Sequence, residues 1–168
     1  MAAGLSIEEA NINALRDMLN ENSALILEEL VPKVSIDMQL PLDKVTMDLA
    51  VEIACLEPFG TGNPKPVFAD RRVRIHSARI IGANKNVLKL SLKTARGSTL
   101  SAVSFGNVEE FTAMIEDKIG ECAAAKLQER GLTGSEMNLE FDIAFNLDIN
   151  EYMGSRTVQL VVRNFRKQ

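Results

Sequence analysis

Met137, Leu139, Phe141, Ile143, Phe145 and Leu147 alternate without interruption with Asn138, Glu140, Asp142, Ala144, Asn146 and Asp148. Successive side chains of an extended chain point to opposite faces, so a period of two held this long demands a strand with one apolar face. On a helix the same apolar residues would be spread around the whole circumference. The period recurs upstream. Val73 and Ile75 alternate with Arg72, Arg74 and His76, and Leu88, Leu90 and Leu92 alternate with Lys89, Ser91 and Lys93. Leu100 and Ala102 alternate with Ser101 and Val103, leading to Phe105, which reads as the end of a core strand. Val158, Leu160 and Val162 form a fifth segment after a turn near Gly154. Residues 82–86 (Gly-Ala-Asn-Lys-Asn) and 95–98 (Ala-Arg-Gly-Ser) have the composition of turns.

One helix interrupts the series. Asn107 reads as an N-cap with Glu110 three positions on, and Val108, Phe111, Ile115, Ile119 and Cys122 make an amphipathic stripe before Gly131 and Gly134 break the chain. Three strands, a helix and two more strands is the chain order of a five-stranded OB barrel with its helix between strands 3 and 4. The expected class is α+β, mainly β, with a small helical and strand segment in front. An open antiparallel sheet covered by one helix satisfies the same pattern.

In that leading segment, Ser6 and Glu9 have capping-box spacing ahead of Ile12, Leu15, Met18 and Leu19 at helical intervals. Val34, Ile36 and Met38 alternate with Ser35 and Asp37 as a short strand that Pro41 ends. Thr46 can cap a further helix striped by Leu49, Ile53 and Leu56. That helix stops at Pro58-Phe59-Gly60-Thr61-Gly62-Asn63-Pro64-Lys65-Pro66. Prolines push the residues before them to extended geometry, and Gly60 and Gly62 permit positive φ, so this is a stiff, shaped connector at an expected domain boundary. Its backbone N–H groups near the two glycines are an alternative phosphate contact.

The 168 residues are 46% hydrophobic and 25% charged, which excludes a disordered tail, a collagen-like fibre and a disulfide-rich mini-protein. Apolar runs such as Ala24-Leu25-Ile26-Leu27 are far short of the roughly 20 residues that span a bilayer. No signal-peptide pattern opens the chain, and Cys55 and Cys122 sit far apart in helix-like segments as small buried hydrophobes, so the cytoplasm is the expected compartment. Net charge is −4, but it is unevenly placed. Residues 1–57 hold 3 basic and 11 acidic side chains, 58–106 hold 9 basic and 1 acidic, and 107–168 hold 7 basic and 11 acidic. A cationic block inside an acidic chain marks a local anion-binding surface.

The block contains Arg72, Arg74, Arg79, Lys85, Lys89, Lys93 and Arg96, the candidate nucleic-acid-binding residues. Arg72 and Arg74 share one face of their strand, and Lys89 and Lys93 share the outward face of the next. Like charges opposed across a sheet are destabilising, and only Asp70 supplies local opposite charge, so the arrangement suits a polyanion. There is no tryptophan and one tyrosine, Tyr152, so the aromatic platforms of single-strand binders are scarce, with Phe59 and Phe105 as the remaining candidates. Glu140, Asp142 and Asp148 face outward on the last strand pair and should repel DNA from that side. No catalytic constellation is present. His76 is the only histidine, no set of His, Cys and carboxylates has ligand spacing, and Glu109, Glu110, Glu116 and Asp117 surround a solvated helix face.

The connector also carries a resemblance. Leu56-Glu57-Pro58-Phe59-Gly60-Thr61-Gly62-Asn63-Pro64-Lys65-Pro66-Val67-Phe68 resembles the L-x-P-F-G-x-G-N-P-x-P-x-F signature of the bacterial RecJ family of single-strand-specific DNA exonucleases. Ala2-Ala3-Gly4-Leu5-Ser6-Ile7 is similar to the tail of the family's G-G-H-x-x-A-A-G motif in its DHHA1 substrate-binding domain. Asn150-Glu151-Tyr152-x-Gly154, followed by Val158-Gln159-Leu160, is similar to the closing hairpin of its OB domain. The resemblance implies a C-terminal piece of a 5'-3' exonuclease of DNA repair and recombination. Residues 1–57 would be the end of a DHHA1-like domain with its connecting helix, 58–68 the connector, and 69–168 the OB nucleic-acid-binding domain. The family's catalytic domain, with its D-H-H motif, has no counterpart here. The resemblance therefore places the nuclease activity and its Mg or Mn elsewhere, and implies no cofactor in this piece. The implied partner is single-stranded DNA, with the acidic tail of a single-strand-binding protein as the alternative.

Overall fold

A strand with one apolar face has to cover that face, and five long strands here do so by closing on themselves. The computed structural model describes residues 4–23 and 33–167, so the Ala2-Ala3 pair and the run 24–27 lie outside the described residues. Two units are separable, Met1–Lys33 and Val34–Gln168. The first holds a 3-10 turn, Glu9–Asn11, and helix α1, Ile12–Glu21, with no buried residue. The expected capping box does not form: the turn starts after Glu8, which leaves Ser6 outside the helix.

The second unit opens with β1 (Met38–Gln39) and α2 (Met47–Ala54). The expected strand over 34–38 shrinks to β1 because Pro66 opposite has no N–H and the Asp37 carboxylate takes the Val67 N–H at 2.8 Å. β1 runs parallel to the next strand, with Met38 opposite Phe68. Thr46 Oγ1 caps α2 by accepting from Leu49 N at 3.2 Å, and Leu49 and Ile53 pack on the core. Leu56 lies past the helix end and is exposed. Leu40, Leu42 and Val45 also enter the core, so the contact boundary falls at 33/34 and the connector lies within the second unit.

The ring follows as β2 (Phe68–Ile81), β3 (Val87–Lys93), β4 (Thr99–Phe105), β6 (Glu140–Tyr152) and β7 (Ser155–Lys167). Between β4 and β6 come α3 (Val108–Ile119), α4 (Glu121–Glu129), β5 (Leu132–Thr133) and α5 (Gly134–Met137). Pairing runs β2-β3-β4-β7-β6 and returns from β6 to β2, with β4 and β7 parallel. This closure is the OB architecture and rules out the open sheet. Leu88, Leu90, Leu92, Phe141, Phe145, Leu147 and Leu160 fill the interior. Phe111 of α3 plugs it, 6.0 Å from the Phe141 ring and 5.4 Å edge-on from Phe165.

Three local departures have physical causes. The single expected helix is two, because Gly120 takes φ 111 between them, and Cys122 turns off the α3 stripe into solvent; Cys55, at the C-cap of α2, is exposed as well. Met137 is buried in α5 rather than starting the strand, since Asn138 turns left-handed at φ 34 before β6. Phe105 is 60% exposed, because its register partner is Val87 on the outer face of β3.

The glycines that matter sterically are Gly131 and Gly134, where β5 and α5 cross β2. A Cβ on Gly131 would stand 2.6 Å from the Ala78 carbonyl oxygen, at φ +86, and one on Gly134 would stand 2.8 Å from the Ile75 oxygen. The expected positive φ at Gly60 and Gly62 is absent, and a Cβ on either would meet nothing within 4 Å. Gly131→Ala should therefore cost about 2 kcal/mol or more. Gly62→Ala should stay within about 0.5 kcal/mol of the parent. Denaturant melts of the two variants check this; equal losses would contradict it.

Candidate nucleic-acid interface

Cross-strand register decides which cations meet. β2 and β3 pair Arg74 with Lys93, Ser77 with Ser91 and Arg79 with Lys89. A register shift between Ile75 and Ser77 inserts one extra residue. It lets Ile75 and Ala78, three apart, both point inward, and Arg74 and Arg79, five apart, both point outward. β4 continues the outer face, setting Thr99 beside Lys93, Ser101 beside Ser91 and Val103 beside Lys89. The outward surface is thus a cationic sheet face carrying serine and threonine hydroxyls.

The seven sequence-expected cations divide. Arg79, Lys89 and Lys93 share the face and have no acidic partner within 4 Å among the described residues. Arg74 shares it too, but its Nε donates to Glu140 Oε1 at 2.8 Å, so opposite charge reaches the face from β6. Arg72 leaves the row: it sits at φ 53 within a second register shift, between Asp70 and Val73, and its N–H is donated to Asp142. Lys85 lies in the β2–β3 turn and Arg96 in the β3–β4 turn, at opposite ends of β3. Asp70 turns to the backbone, accepting from Leu42 N and Arg71 N. Asp142 binds Arg166 at 3.0 Å and Asp148 binds Lys65 at 3.4 Å, so the acids expected to repel DNA are engaged in ion pairs.

Residues 130–133 flank this face along the edge of β2 opposite β3, where Thr133 pairs with Ser77 and Leu132 with Ala78, and with it line a groove of about 620 Å³. Arg130 is not legible as a site residue in the sequence, because it lies in the acidic third of the chain; the flanking signal is Gly131. Its guanidinium grips Glu136, whose Oε2 also accepts from the N–H and hydroxyl of Thr133. These hydrogen bonds, Arg130's first, pull the Glu136 carboxyl down to about 2 and push the Arg130 guanidinium up. A second depression of about 490 Å³ adjoins the groove, lined by Arg74, His76, Lys93 and residues 133–135.

The connector residues Pro58, Phe59, Gly60, Gly62, Asn63, Pro64 and Pro66 form a braced loop. Gly60 and Asn63 exchange backbone hydrogen bonds at 2.9 and 3.1 Å, and Asn63 Nδ2 donates to the carbonyls of Leu56 and Pro58. Asn146, buried where the alternation expects an outward residue, donates to Pro66 O at 2.6 Å and to Lys65 O at 3.3 Å, and accepts from Arg163 Nε. Phe59 carries Lys65 over its ring at 5.7 Å. Tyr152 and Met153, at the tip of the β6–β7 hairpin, are exposed. Among the described residues no group of three or more His, Cys, Asp or Glu is placed to hold a metal ion, and no helix is long and apolar enough to cross a membrane.

A family profile described as RecJ OB domain matches residues 36–164. The single-stranded-DNA-specific exonuclease RecJ of Bacillus subtilis is 28% identical over 166 residues, which is 98% of this chain and 18% of that protein. Its namesake in Haemophilus influenzae is 31% identical over 165 residues, 96% of this chain and 25% of that protein. The crystal structure of RecJ in complex with Mg2+ from Thermus thermophilus matches with a TM-score of 0.62 at 21% identity, over 97% of this chain and 21% of that one. The chain therefore spans about a fifth to a quarter of the length of the relatives it matches.

Asn146, buried in β6, ties the connector to the barrel wall. Asn146→Ala should leave two connector carbonyls and Arg163 without their partner, at a cost of roughly 2 kcal/mol or more. Asn63→Ala, at an exposed position, should cost about 1 kcal/mol. Urea unfolding of both variants measures the difference; a larger loss at Asn63 would show that the connector braces itself.

Proposed function

Because the chain belongs to the RecJ OB domain family, we propose that it holds single-stranded DNA on the outer face of β2 and β3, for a nuclease centre located in the rest of a longer RecJ-type protein. The observation that carries this reading is the direct opposition of Arg79 to Lys89, with Lys93 four residues along β3 on the same face and no acid within 4 Å of these three among the described residues. Such an array is destabilising in the free protein and is relieved by a polyanion. OB folds bind oligonucleotides on the face of their second and third barrel strands, here β3 and β4, so the outer surface of β3 with Lys89 and Lys93 belongs to both. Phosphate contacts give affinity without sequence information, so the grip is sequence-independent and falls with salt.

Of the expected residues 1–57, the unit Met1–Lys33 is proposed as the end of the DHHA1-like domain, supported by the match at Ala2-Ala3-Gly4-Leu5-Ser6-Ile7. Mg or Mn chemistry, implied by the resemblance for the catalytic domain, finds no donor set among the described residues, and no step is assigned to it. The role in repair and recombination, and a cytoplasmic setting, belong to the same reading.

Replacing Lys89 and Lys93 together with alanine should weaken binding to all sequences alike and flatten the slope of log K against log salt by roughly 1.4. Lys118→Ala on α3 is the control. Arg163 and Arg166 are unsuitable controls, since Asn146 and Asp142 hold them in place. Fluorescence anisotropy with labelled dT oligonucleotides gives the slopes; an unchanged slope in the double variant contradicts the assignment. An acidic peptide that binds where dT does not would transfer the face to a protein partner such as the tail of a single-strand-binding protein.

A further inference from the structure

The groove flanked by residues 130–133 differs from the open sheet beside it in what lines it. Arg79, Lys89 and Arg130 supply positive charge, while Ser77, Ser91, Thr99, Ser101 and Thr133 supply hydroxyls. Neither a carboxylate nor an aromatic ring is among the lining residues. The rings that could stack a base lie outside the lining. Phe105 borders it on the same outer face, two residues along β4 from Val103, the register partner of Lys89. Tyr152 is at the β6–β7 hairpin tip, and Phe59 is under Lys65 on the connector. The lining therefore offers charge and hydrogen bonds to phosphate and sugar oxygens and nothing flat to a base.

We propose that this groove is a backbone-only channel: it takes the sugar-phosphate chain of a single strand and leaves the bases turned out. The inference rests on the reading of the β2–β3 face as a DNA surface and names the part of the strand that is recognised. Arg79 and Lys89 carry most of the attraction, because the Arg130 charge is already offset by Glu136. Arg130 serves chiefly as the wall that converts a face into a groove, and the glycine beside it lets that wall approach β2 closely. Selectivity among bases is then absent for a structural reason. The same channel accepts a strand that has lost its bases.

The test compares a dT oligonucleotide with a tetrahydrofuran (abasic) strand of equal length, both labelled and titrated against the whole chain. The abasic strand should bind within fivefold of dT. Ser101→Asp, which puts a negative charge in the groove, should weaken both strands by the same factor, at least fivefold. Thr99→Asp, at an exposed position on the same wall, repeats the measurement should Ser101→Asp fold poorly. An abasic strand more than fivefold weaker than dT overturns the inference and leaves the DNA-binding reading standing. Unaltered binding in a folded Asp variant also overturns it, by placing the strand outside the groove. Failure of both strands to bind the parent chain removes the underlying reading, and the inference with it.

Discussion

Strand β2 is the constraint on which the remaining structure depends. Its 14 residues run from one half of the barrel to the other and change partners on both edges. One edge pairs first with β1 and then with β3; the other pairs first with β6 and then with β5. A strand of fixed period cannot serve all four partners with one apolar face, and the two register shifts, between Asp70 and Val73 and between Ile75 and Ser77, resolve this. The second shift keeps Ile75 and Ala78 in the core while bringing Arg74 and Arg79 to the same outer row. The gap at which β5 and α5 cross β2 closes only because Gly131 and Gly134 lack side chains. Core packing and the cationic face are two consequences of one strand's geometry.

Electrostatics then separates the two sides of the molecule. Where β6 meets β2 and β7, cations have partners: Arg74 with Glu140, Arg166 with Asp142, and Lys65 with Asp148. Where β2 meets β3, Arg79 faces Lys89 across a pair of strands. Two like charges about 5 Å apart repel by roughly 1 kcal/mol in water. A marginally stable domain tolerates that cost, and a phosphate chain reverses its sign. On the β2–β3 face only Arg74 meets an acid, Glu140, while Arg79, Lys89 and Lys93 meet none within 4 Å among the described residues.

The elements legible in the sequence are those set by local period. The alternation over β3 and β6 is regular enough to place Leu88, Leu90, Leu92, Phe141, Ile143 and Phe145 inside without knowledge of any partner. The Thr46 cap is equally local. What the sequence does not display are consequences of distant segments meeting. Glu140 reaches Arg74 from 66 positions away. Asn146 looks like an outward residue until the connector covers it. The glycines show the same limit. Gly60 and Gly62 stand out in a motif yet have room for a side chain, whereas a Cβ on Gly131 or Gly134 would collide with the β2 backbone. Arg130 belongs to the same class, a basic residue in an acidic stretch until the fold sets it at the edge of the β2–β3 face.

Whether the β2–β3 face holds the strand is decided by a map of amide shifts in the 1H–15N spectrum as a dT oligonucleotide is added. The largest perturbations should fall on Arg74, Ser77, Arg79, Lys89, Ser91, Lys93 and Ser101, and should fade together as salt is raised. Perturbations concentrated on the β6–β7 hairpin or the connector, with β2 and β3 silent, would contradict that placement.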